Sequence, residues 1–272
     1  MIKFFVKIYF DYINLFKMNF NTFWISTTPR TGSMWLFNVT REILKANNFN
    51  VLPKEIPQYD KEMVKVYQNY SLKDNDENNK YVLKIHKLLP TGLKKSRILT
   101  TVRDPRDVCI SFKEFMNVDF NEALQASKTL NNYVKTYKQY NDEYVKFIKY
   151  ENIENRTIET LTEIANFIDT DINLQILEKI SNKFNKDNVR NLIQNNDNKL
   201  ISRIKNKEQI LKKEIVYFSD KNYRSYDLNT GFQSGHISNR KSGDWRNKFN
   251  KDEIKIINNE FKEILEEYNY EI

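Results

Sequence analysis

The stretch that decides the fold covers residues 22–35 and reads TFWIS followed by TTPRTGSMW. The first five residues include aromatic and β-branched side chains, which predicts a short buried strand. The next nine contain one glycine, Gly32, between the hydroxyl residues Thr31 and Ser33, and lead into a helical pattern. A loop between a strand and a helix N-terminus favours binding of an anion through backbone N–H groups.

This loop lacks the spacing of a nucleotide triphosphatase. That pattern requires a second glycine and a terminal Lys-Ser/Thr pair, whereas this loop ends in Met34 and Trp35. A P-loop nucleotide kinase is therefore an alternative that Mg-dependent ATP turnover would identify.

Three further apolar runs, residues 81–85, 97–102 and 145–150, are predicted strands. Helical patterns follow the first, third and fourth strands, and Asp104-Pro105 reads as the N-cap and first residue of one helix. Another helix is predicted to start after Asn250, with Glu253 completing its cap. Strands that alternate with helices predict an α/β fold, a P-loop-like parallel sheet with helices on both faces.

Other segments are predicted to lie outside the sheet. Residues 71–80 read as a polar loop, residues 182–200 as a solvated helix or loop, and residues 217–243 as a long functional loop. We expect residues 1–20 to form an N-terminal extension or helix and residues 21–272 to form a single domain. Lys7 and Asp11 interrupt the apolar N-terminus too early for a membrane span, and none is expected.

Net charge and the numbers of cysteines and histidines limit the ligands and partners that the sequence predicts. The formal net charge of +8 favours anionic partners, but no compact Lys/Arg run is present. No nucleic acid is expected, although a basic nucleic-acid binder is kept as an alternative. One cysteine, Cys109, and two histidines, His86 and His236, exclude a disulfide framework and a multi-histidine metal centre.

Three segments with reactive side chains are predicted at the carboxyl edge of the sheet, where ligands of such folds bind. The first is the opening loop, which contains Arg30. The second is the end of the second predicted strand, with Lys84 and His86. The third is Arg103 at the end of the third predicted strand, with Ser111 in the next helix. Taken singly, Lys84 and His86 also fit a solvated strand face, and Arg103 also fits a structural ion pair with Asp104 or Asp107. Their joint placement favours an anion site.

These segments resemble the cytosolic-type sulfotransferase family. The resemblance rests on five segments in the family's order: residues 27–35, 84–86, 103–111, 149–153 and 240–245. It implies in-line transfer of a sulfuryl group from 3′-phosphoadenosine 5′-phosphosulfate (PAPS) to an acceptor hydroxyl or amine, with PAP as product and no metal. It also implies a small-molecule or carbohydrate acceptor and a cytoplasmic location.

The resemblance also implies residue roles. His86 is the expected general base, and Lys84 and Arg30 are expected to stabilise charge on the bridging and leaving oxygens. The expected nucleotide-binding residues are Arg30, Thr31, Gly32, Ser33, Met34, Trp35, Arg103, Ser111, Tyr150, Arg240 and Lys241. Among these, the loop holds the 5′-phosphosulfate, and Trp35 and Tyr150 lie near the adenine. The 3′-phosphate is held by Arg103, Ser111, Arg240 and Lys241.

The sequence departs from the family pattern in three places. Arg30 stands where the family usually has lysine, which keeps the charge but makes a poor proton donor. The segment before Gly243 is two residues shorter than in the family, which shifts Arg240 and Lys241 from their family positions. Residues 181–184 are only weakly similar to the family's adenine-contacting segment. A catalytically inactive relative, or a base such as Glu55, is therefore an alternative.

The acceptor pocket is expected to come from residues 53–80, 113–140 and 215–238. These residues specify neither the acceptor nor an oligomeric state. The aromatic side chains that could line the pocket are Tyr59, Tyr67, Phe115, Phe218, Tyr223 and Phe232.

Overall fold

The computed structural model describes residues 20–89, 93–219, 222–238 and 240–271. The predicted N-terminal extension, apart from its last residue, lies outside the described residues. No helix in the described part of the chain is long and apolar enough to cross a membrane.

Five parallel strands form the central sheet, in the order β2-β3-β1-β4-β5. They are β1 (Thr22–Ser26), β2 (Asn50–Leu52), β3 (Asn79–Ile85), β4 (Ser96–Val102) and β5 (Val145–Lys149). The four predicted strands are confirmed, and β1 lies at the centre with every residue buried. The edge strand β2 was not predicted, because three residues are too few to show a periodic pattern.

Helices flank this sheet and confirm the predicted α/β class. They are α1 (Ser33–Ala46), α2 (Asp60–Asn69), α3 (Pro105–Met116), α4 (Phe120–Ser127), α5 (Thr129–Tyr137), α6 (Tyr150–Asn155), α7 (Thr157–Phe167), α8 (Leu174–Lys183), α9 (Lys186–Lys205), α10 (Lys251–Glu260) and α11 (Lys262–Glu267). One hydrophobic cluster joins the sheet to α1, α7 and α8, and a second lies between α3, α10 and α11. Phe147 of β5 packs against both clusters.

The predicted helix starts are confirmed. The Asp104 carboxylate accepts a hydrogen bond from the Arg106 backbone N–H at 2.9 Å, and Pro105 is the first residue of α3. Asn250 and Glu253 form a reciprocal capping box at the start of α10. The last predicted helix is interrupted at the buried residue Phe261, where α10 gives way to α11.

The three segments that the sequence predicts to lie outside the sheet are in part regular structure. The long loop of residues 217–243 begins inside an antiparallel hairpin of β6 (Ile215–Ser219) and β7 (Asn222–Ser225). Tyr217 pairs with Tyr223 across this hairpin, whereas Ile215 and Val216 lie opposite Ser225 and Arg224, so the strands pair outside the main sheet. Residues 182–200 are largely helical, within α8 and α9, and the polar segment 71–80 ends in the first residues of β3.

Candidate active site

A cavity of about 690 Å³ opens beyond the carboxyl ends of the central strands. The loop after β1, the end of β3, helices α3 and α6, and residues 232–241 contribute to its walls. Twelve of the sequence-predicted site residues line it: Arg30, Gly32, Ser33, Met34, Trp35, Lys84, His86, Arg103, Ser111, Tyr150, Arg240 and Lys241. The fold therefore brings together segments that are more than two hundred residues apart.

Gly32 allows the opening loop to approach Tyr150. Its φ angle is +91°, and a Cβ atom at this position would lie 2.9 Å from Cδ2 of Tyr150. Both the backbone conformation and the space therefore require glycine. Helix α1 begins at the next residue, so the N–H groups of its first turn, which have no partner within the helix, lie at the cavity wall.

Thr31 has a different environment from the other loop residues. Its hydroxyl donates to the backbone oxygen of Thr28 at 2.6 Å and lies 2.5 Å from Oγ1 of Thr101 on β4. The side chain is fully buried against the sheet. Any contact of Thr31 with an anion would therefore come from its backbone.

Lys84 and His86 lie side by side at the end of β3, with Nζ of Lys84 3.2 Å from Nε2 of His86. Nδ1 of His86 lies 2.9 Å from the backbone oxygen of Thr27. Because a carbonyl only accepts, we assign the imidazole proton to Nδ1, which leaves a lone pair on Nε2 that can accept from Lys84. Asp60, the first residue of α2, fixes the strand end by accepting from the His86 backbone N–H at 2.9 Å.

The electrostatic environment favours neutral His86. Burial, together with the charges of Lys84 and Arg30, lowers the pKa of His86 to about 3. Burial lowers the pKa of Lys84 to about 8, and the nearby carboxylate of Asp60 opposes this shift. At neutral pH the pair therefore consists of a neutral imidazole whose Nε2 lone pair accepts from the ammonium group of Lys84.

Arg30 connects the opening loop to α3. Its Nε donates to the hydroxyl of Ser111 at 2.9 Å, and its guanidinium lies 4.2 Å from the ring centre of Phe115. Burial and the neighbouring Arg103 and Arg240 lower the pKa of Arg30 to about 10, so it remains charged at neutral pH. The positive charge of Arg30 lowers the pKa of His86 and also interacts with the charge of Arg103.

Arg103 makes its direct contacts with neutral groups, although its charge also acts on the carboxylate of Asp107. Its Nη1 donates to the backbone oxygen of Arg30 at 2.9 Å, and its guanidinium stacks 3.9 Å from the ring centre of Tyr150. Among the described residues, its buried Nε has no hydrogen-bond partner. Asp104 is paired instead with Arg106, at 2.9 Å, so the alternative ion pair of Arg103 with Asp104 does not form.

Arg240 reaches the cavity although the sequence segment before Gly243 is short. Its Nε lies 2.7 Å from a Glu114 carboxylate oxygen, in an ion pair that is not aligned as a hydrogen bond. Its buried Nη1 has no hydrogen-bond partner in the described part of the chain. The backbone N–H of Gly243 donates to Asp107 at 2.8 Å, which joins this segment to α3, and Lys241 lies exposed at the cavity rim.

Sequence reasoning missed several residues of the wall. Glu154 forms an ion pair with Lys186, accepts from the hydroxyl of Ser242 at 2.9 Å and accepts from Tyr150 Oη at 3.2 Å. No motif marks Glu154 or Lys186, because each lies in a helix with ordinary polar spacing. The wall also contains His236. Ser181 and Phe184 line it as well, and they belong to the segment that the sequence analysis compared with the family's adenine-contacting segment.

Only some of the aromatic residues proposed for an acceptor pocket line the cavity. Phe115 and Phe232 line the cavity, whereas Tyr67 is buried in the core and donates to the Lys94 backbone oxygen. Tyr59 and Tyr223 are exposed at the surface. The Phe218 side chain lies outside the described residues. Glu55 forms a surface ion pair with Lys213 at 2.7 Å.

Comparison with known proteins gives consistent matches. The family model of the sulfotransferase domain matches residues 21–269. An amine sulfotransferase from Oryctolagus cuniculus is 23% identical over 213 residues, which cover 69% of each chain.

Solved structures show the same fold. A mouse sulfotransferase, SULT7A1, crystallised with PAP, has a TM-score of 0.61 at 16% identity, over 90% of this chain and 85% of its own. A retinol dehydratase in complex with retinol and PAP has a TM-score of 0.56 at 14% identity, over 90% of this chain and 81% of its own. Since the family model spans nearly all of the described chain, this protein belongs to the sulfotransferase domain family.

Proposed function

We propose that this protein transfers a sulfuryl group from PAPS to the hydroxyl or amine of a small-molecule or carbohydrate acceptor. The observation that carries the proposal is a single cavity in which the Lys84–His86 pair and a cluster of buried arginines face the same space. Membership of the sulfotransferase family supports sulfuryl transfer in general. Relatives crystallised with PAP support the nucleotide.

The cavity fits a ligand with several negative charges. Arg103 and Arg240 each bury a guanidinium nitrogen that has no hydrogen-bond partner among the described residues. Unpaired donors of this kind are costly, and a phosphate oxygen would satisfy them with charge-assisted hydrogen bonds. Arg30 is close enough to both arginines for its pKa to fall, and an anion among them would remove that repulsion.

The nucleotide would be held at two ends. The first-turn N–H groups of α1 and the residues after Gly32 would hold the 5′-phosphosulfate, with Trp35 at the cavity wall. Arg103, Ser111, Arg240 and Lys241 would hold the 3′-phosphate. Tyr150, stacked on Arg103 and adjacent to Gly32, would lie near the adenine.

The proposed chemistry uses His86, Lys84 and Arg30. PAPS supplies an activated sulfuryl group whose transfer leaves PAP. His86 would accept the acceptor proton at Nε2, because Thr27 holds the proton of the neutral ring at Nδ1. Lys84, 3.2 Å from the same Nε2, and Arg30 would stabilise negative charge on the bridging and leaving oxygens.

We further propose that residues 21–272 form one domain, because Phe147 packs against both hydrophobic clusters. The motif resemblance to cytosolic-type enzymes supports a cytoplasmic location. No metal is part of the proposed reaction.

Thermal unfolding with PAP and with AMP, in the presence of a chelator, tests the proposal. PAP at about a hundred times its Kd is expected to stabilise the fold by about 2.7 kcal/mol. AMP lacks the 3′-phosphate and is expected to bind more weakly. Equal stabilisation by PAP and AMP would contradict the 3′-phosphate assignment, and a requirement for metal would contradict the metal-free reaction.

Arg103→Ala is the matched variant for that experiment. Loss of a charge-assisted contact, worth about 1.5–3 kcal/mol, should weaken PAP binding and reduce the difference between PAP and AMP. The unfolding temperature without nucleotide serves as the control. A large fall in that temperature with unchanged PAP affinity would show that Arg103 is structural.

A further inference from the structure

His236 lies in the same cavity as Lys84 and His86, and the proposed chemistry does not use it. Its ring is half-buried and lies between Phe115 and Phe232, with ring centres 6.5 and 6.2 Å away. The two histidines of the chain therefore face one cavity from different elements, His86 from β3 and His236 from the loop after β7.

Hydrogen bonds determine which nitrogen of His236 carries the proton. The Gln233 backbone N–H donates to Nδ1 of His236 at 3.3 Å. In return, the His236 backbone N–H donates to the Gln233 oxygen at 3.1 Å. Because a backbone amide only donates, Nδ1 must present a lone pair, and the proton of the neutral ring lies on Nε2.

The charges around His236 keep the ring neutral. Burial lowers its pKa well below the ordinary value, and Arg30, Lys84, His86 and Arg224 act in the same direction. In the neutral rings, Nε2 of His86 carries a lone pair, whereas Nε2 of His236 carries the proton. The two neutral rings thus offer the cavity opposite hydrogen-bonding groups.

The loop that carries His236 is anchored on both sides. Asp197 of α9 accepts from the hydroxyls of Ser225 and Ser234, each at 2.5 Å. On the other side, Asn38 of α1 donates to the Thr230 backbone oxygen at 2.9 Å. An anchored donor loses little conformational entropy when a ligand binds, so the N–H of His236 is preorganised.

We propose that His236 positions the acceptor by donating its Nε2–H to an acceptor oxygen, and that the acceptor is a neutral or anionic hydroxyl compound. This inference rests on the proposed sulfuryl transfer. A hydroxyl group both donates and accepts, so its proton can point to His86 while an oxygen lone pair accepts from His236. The second lone pair of that oxygen remains available to attack sulfur.

An ammonium group fits this arrangement poorly. It has only donors, so it cannot accept from His236, and it would lie near the ammonium of Lys84 and the guanidinium of Arg30. Like charges in a partly buried site repel strongly. The rabbit relative is an amine sulfotransferase, whereas the charges of this cavity disfavour an acceptor that binds as an ammonium ion.

Calorimetric binding to the PAP-saturated protein tests the proposal without turnover. The probes are 2-naphthol and 2-naphthylmethylamine, which is an ammonium ion at pH 7. We expect 2-naphthol to bind at least about tenfold more tightly, the effect of one hydrogen bond to a buried donor. Equal or tighter binding of the ammonium, or no binding of 2-naphthol, would overturn the proposal.

Three variants assign the effect to His236. His236→Phe keeps a ring without the N–H, His236→Asn places its amide at the Nδ1 side, and His236→Gln places its amide near Nε2. 2-Naphthol binding is expected to fall about tenfold in the Phe and Asn variants and to recover in part in the Gln variant. PAP affinity, which reports the folded nucleotide site, is expected to stay unchanged in all three.

Each result has one meaning. Asn and Gln variants that bind 2-naphthol equally, or a Phe variant that binds it like the parent, would show that the N–H of His236 makes no contact with the acceptor. If His236→Phe does not fold, the Asn and Gln pair decides the question. Specific 2-naphthol binding without release of PAP from PAPS would contradict the proposed reaction while supporting the acceptor site.

Discussion

The pH dependence of turnover should report the charge of Lys84. Burial lowers the pKa of Lys84 to about 8, whereas the pKa of His86 falls to about 3. If the ammonium of Lys84 stabilises the developing charge, kcat/KM for PAPS is retained well below pH 8, falls to half at pH 8 and is lost as the pH rises further. Neutral His86 is available throughout, so no acidic limb is expected between pH 5 and 7.

The absence of an acidic limb differs from the simpler expectation that the proposed base, His86, titrates near neutrality. The ordinary pKa of histidine is close to 6.5, and an acidic limb would then appear around that pH. Burial beside Lys84 and Arg30 moves this titration of His86 to lower pH. The remaining limb in the accessible range therefore belongs to Lys84.

The size of the effect follows from the titration. With a pKa of about 8, about one tenth of Lys84 is protonated at pH 9, so kcat/KM should be about ten times lower there than at pH 7. Bound PAPS brings negative charge next to Lys84, which raises its pKa. The limb in kcat is therefore expected at higher pH than the limb in kcat/KM.

The assay is release of PAP from PAPS, with 2-naphthol as acceptor, between pH 6 and 10. Lys84→Arg keeps the charge to higher pH and should shift the limb upward, whereas Lys84→Met should give a low and flat profile. Lys87→Met, at an exposed neighbouring position, is the matched control. An unchanged kcat/KM at pH 9 in the parent, or the same limb in Lys84→Arg, would refute the reasoning.

Two further predictions concern the base and the loop glycine. His86→Asn should bind PAP like the parent but lose about two to four orders of magnitude in turnover, and full activity would assign the base role to another group. Gly32→Ala should destabilise the protein by about 1–3 kcal/mol, because a Cβ at positive φ would lie 2.9 Å from Tyr150, as thermal unfolding would show. Gly235→Ala is its control, since φ is also positive there but the nearest atom is 3.5 Å away, and an equal loss in both variants would exclude the contact with Tyr150.

Local sequence was sufficient for most of the main framework. Strand β1, the loop around Gly32 and the capped start of α3 at Asp104 were predicted because their signals lie within a few residues: apolar side chains, a single glycine and a cap followed by proline. The short strand β2 and the β6–β7 hairpin were missed, because each depends on its pairing partner more than on its own pattern.

Only the tertiary structure shows which of the candidate site residues lie in one cavity. The sequence identified Lys84, His86 and Arg103 by their spacing, and the fold brings them to one cavity. It did not determine that Arg240 reaches the same space from a shortened segment, or that His236 lines the same cavity.

The same limit applies to protonation and side-chain direction. The composition specifies two histidines, but burial and the surrounding carbonyl, amide and cationic groups favour neutral rings with the proton on Nδ1 in His86 and on Nε2 in His236. Likewise, Thr31 turns toward Thr101 because β4 lies beneath the loop. Such properties depend on distances between residues far apart in the chain, so packing decides them and no local pattern encodes them.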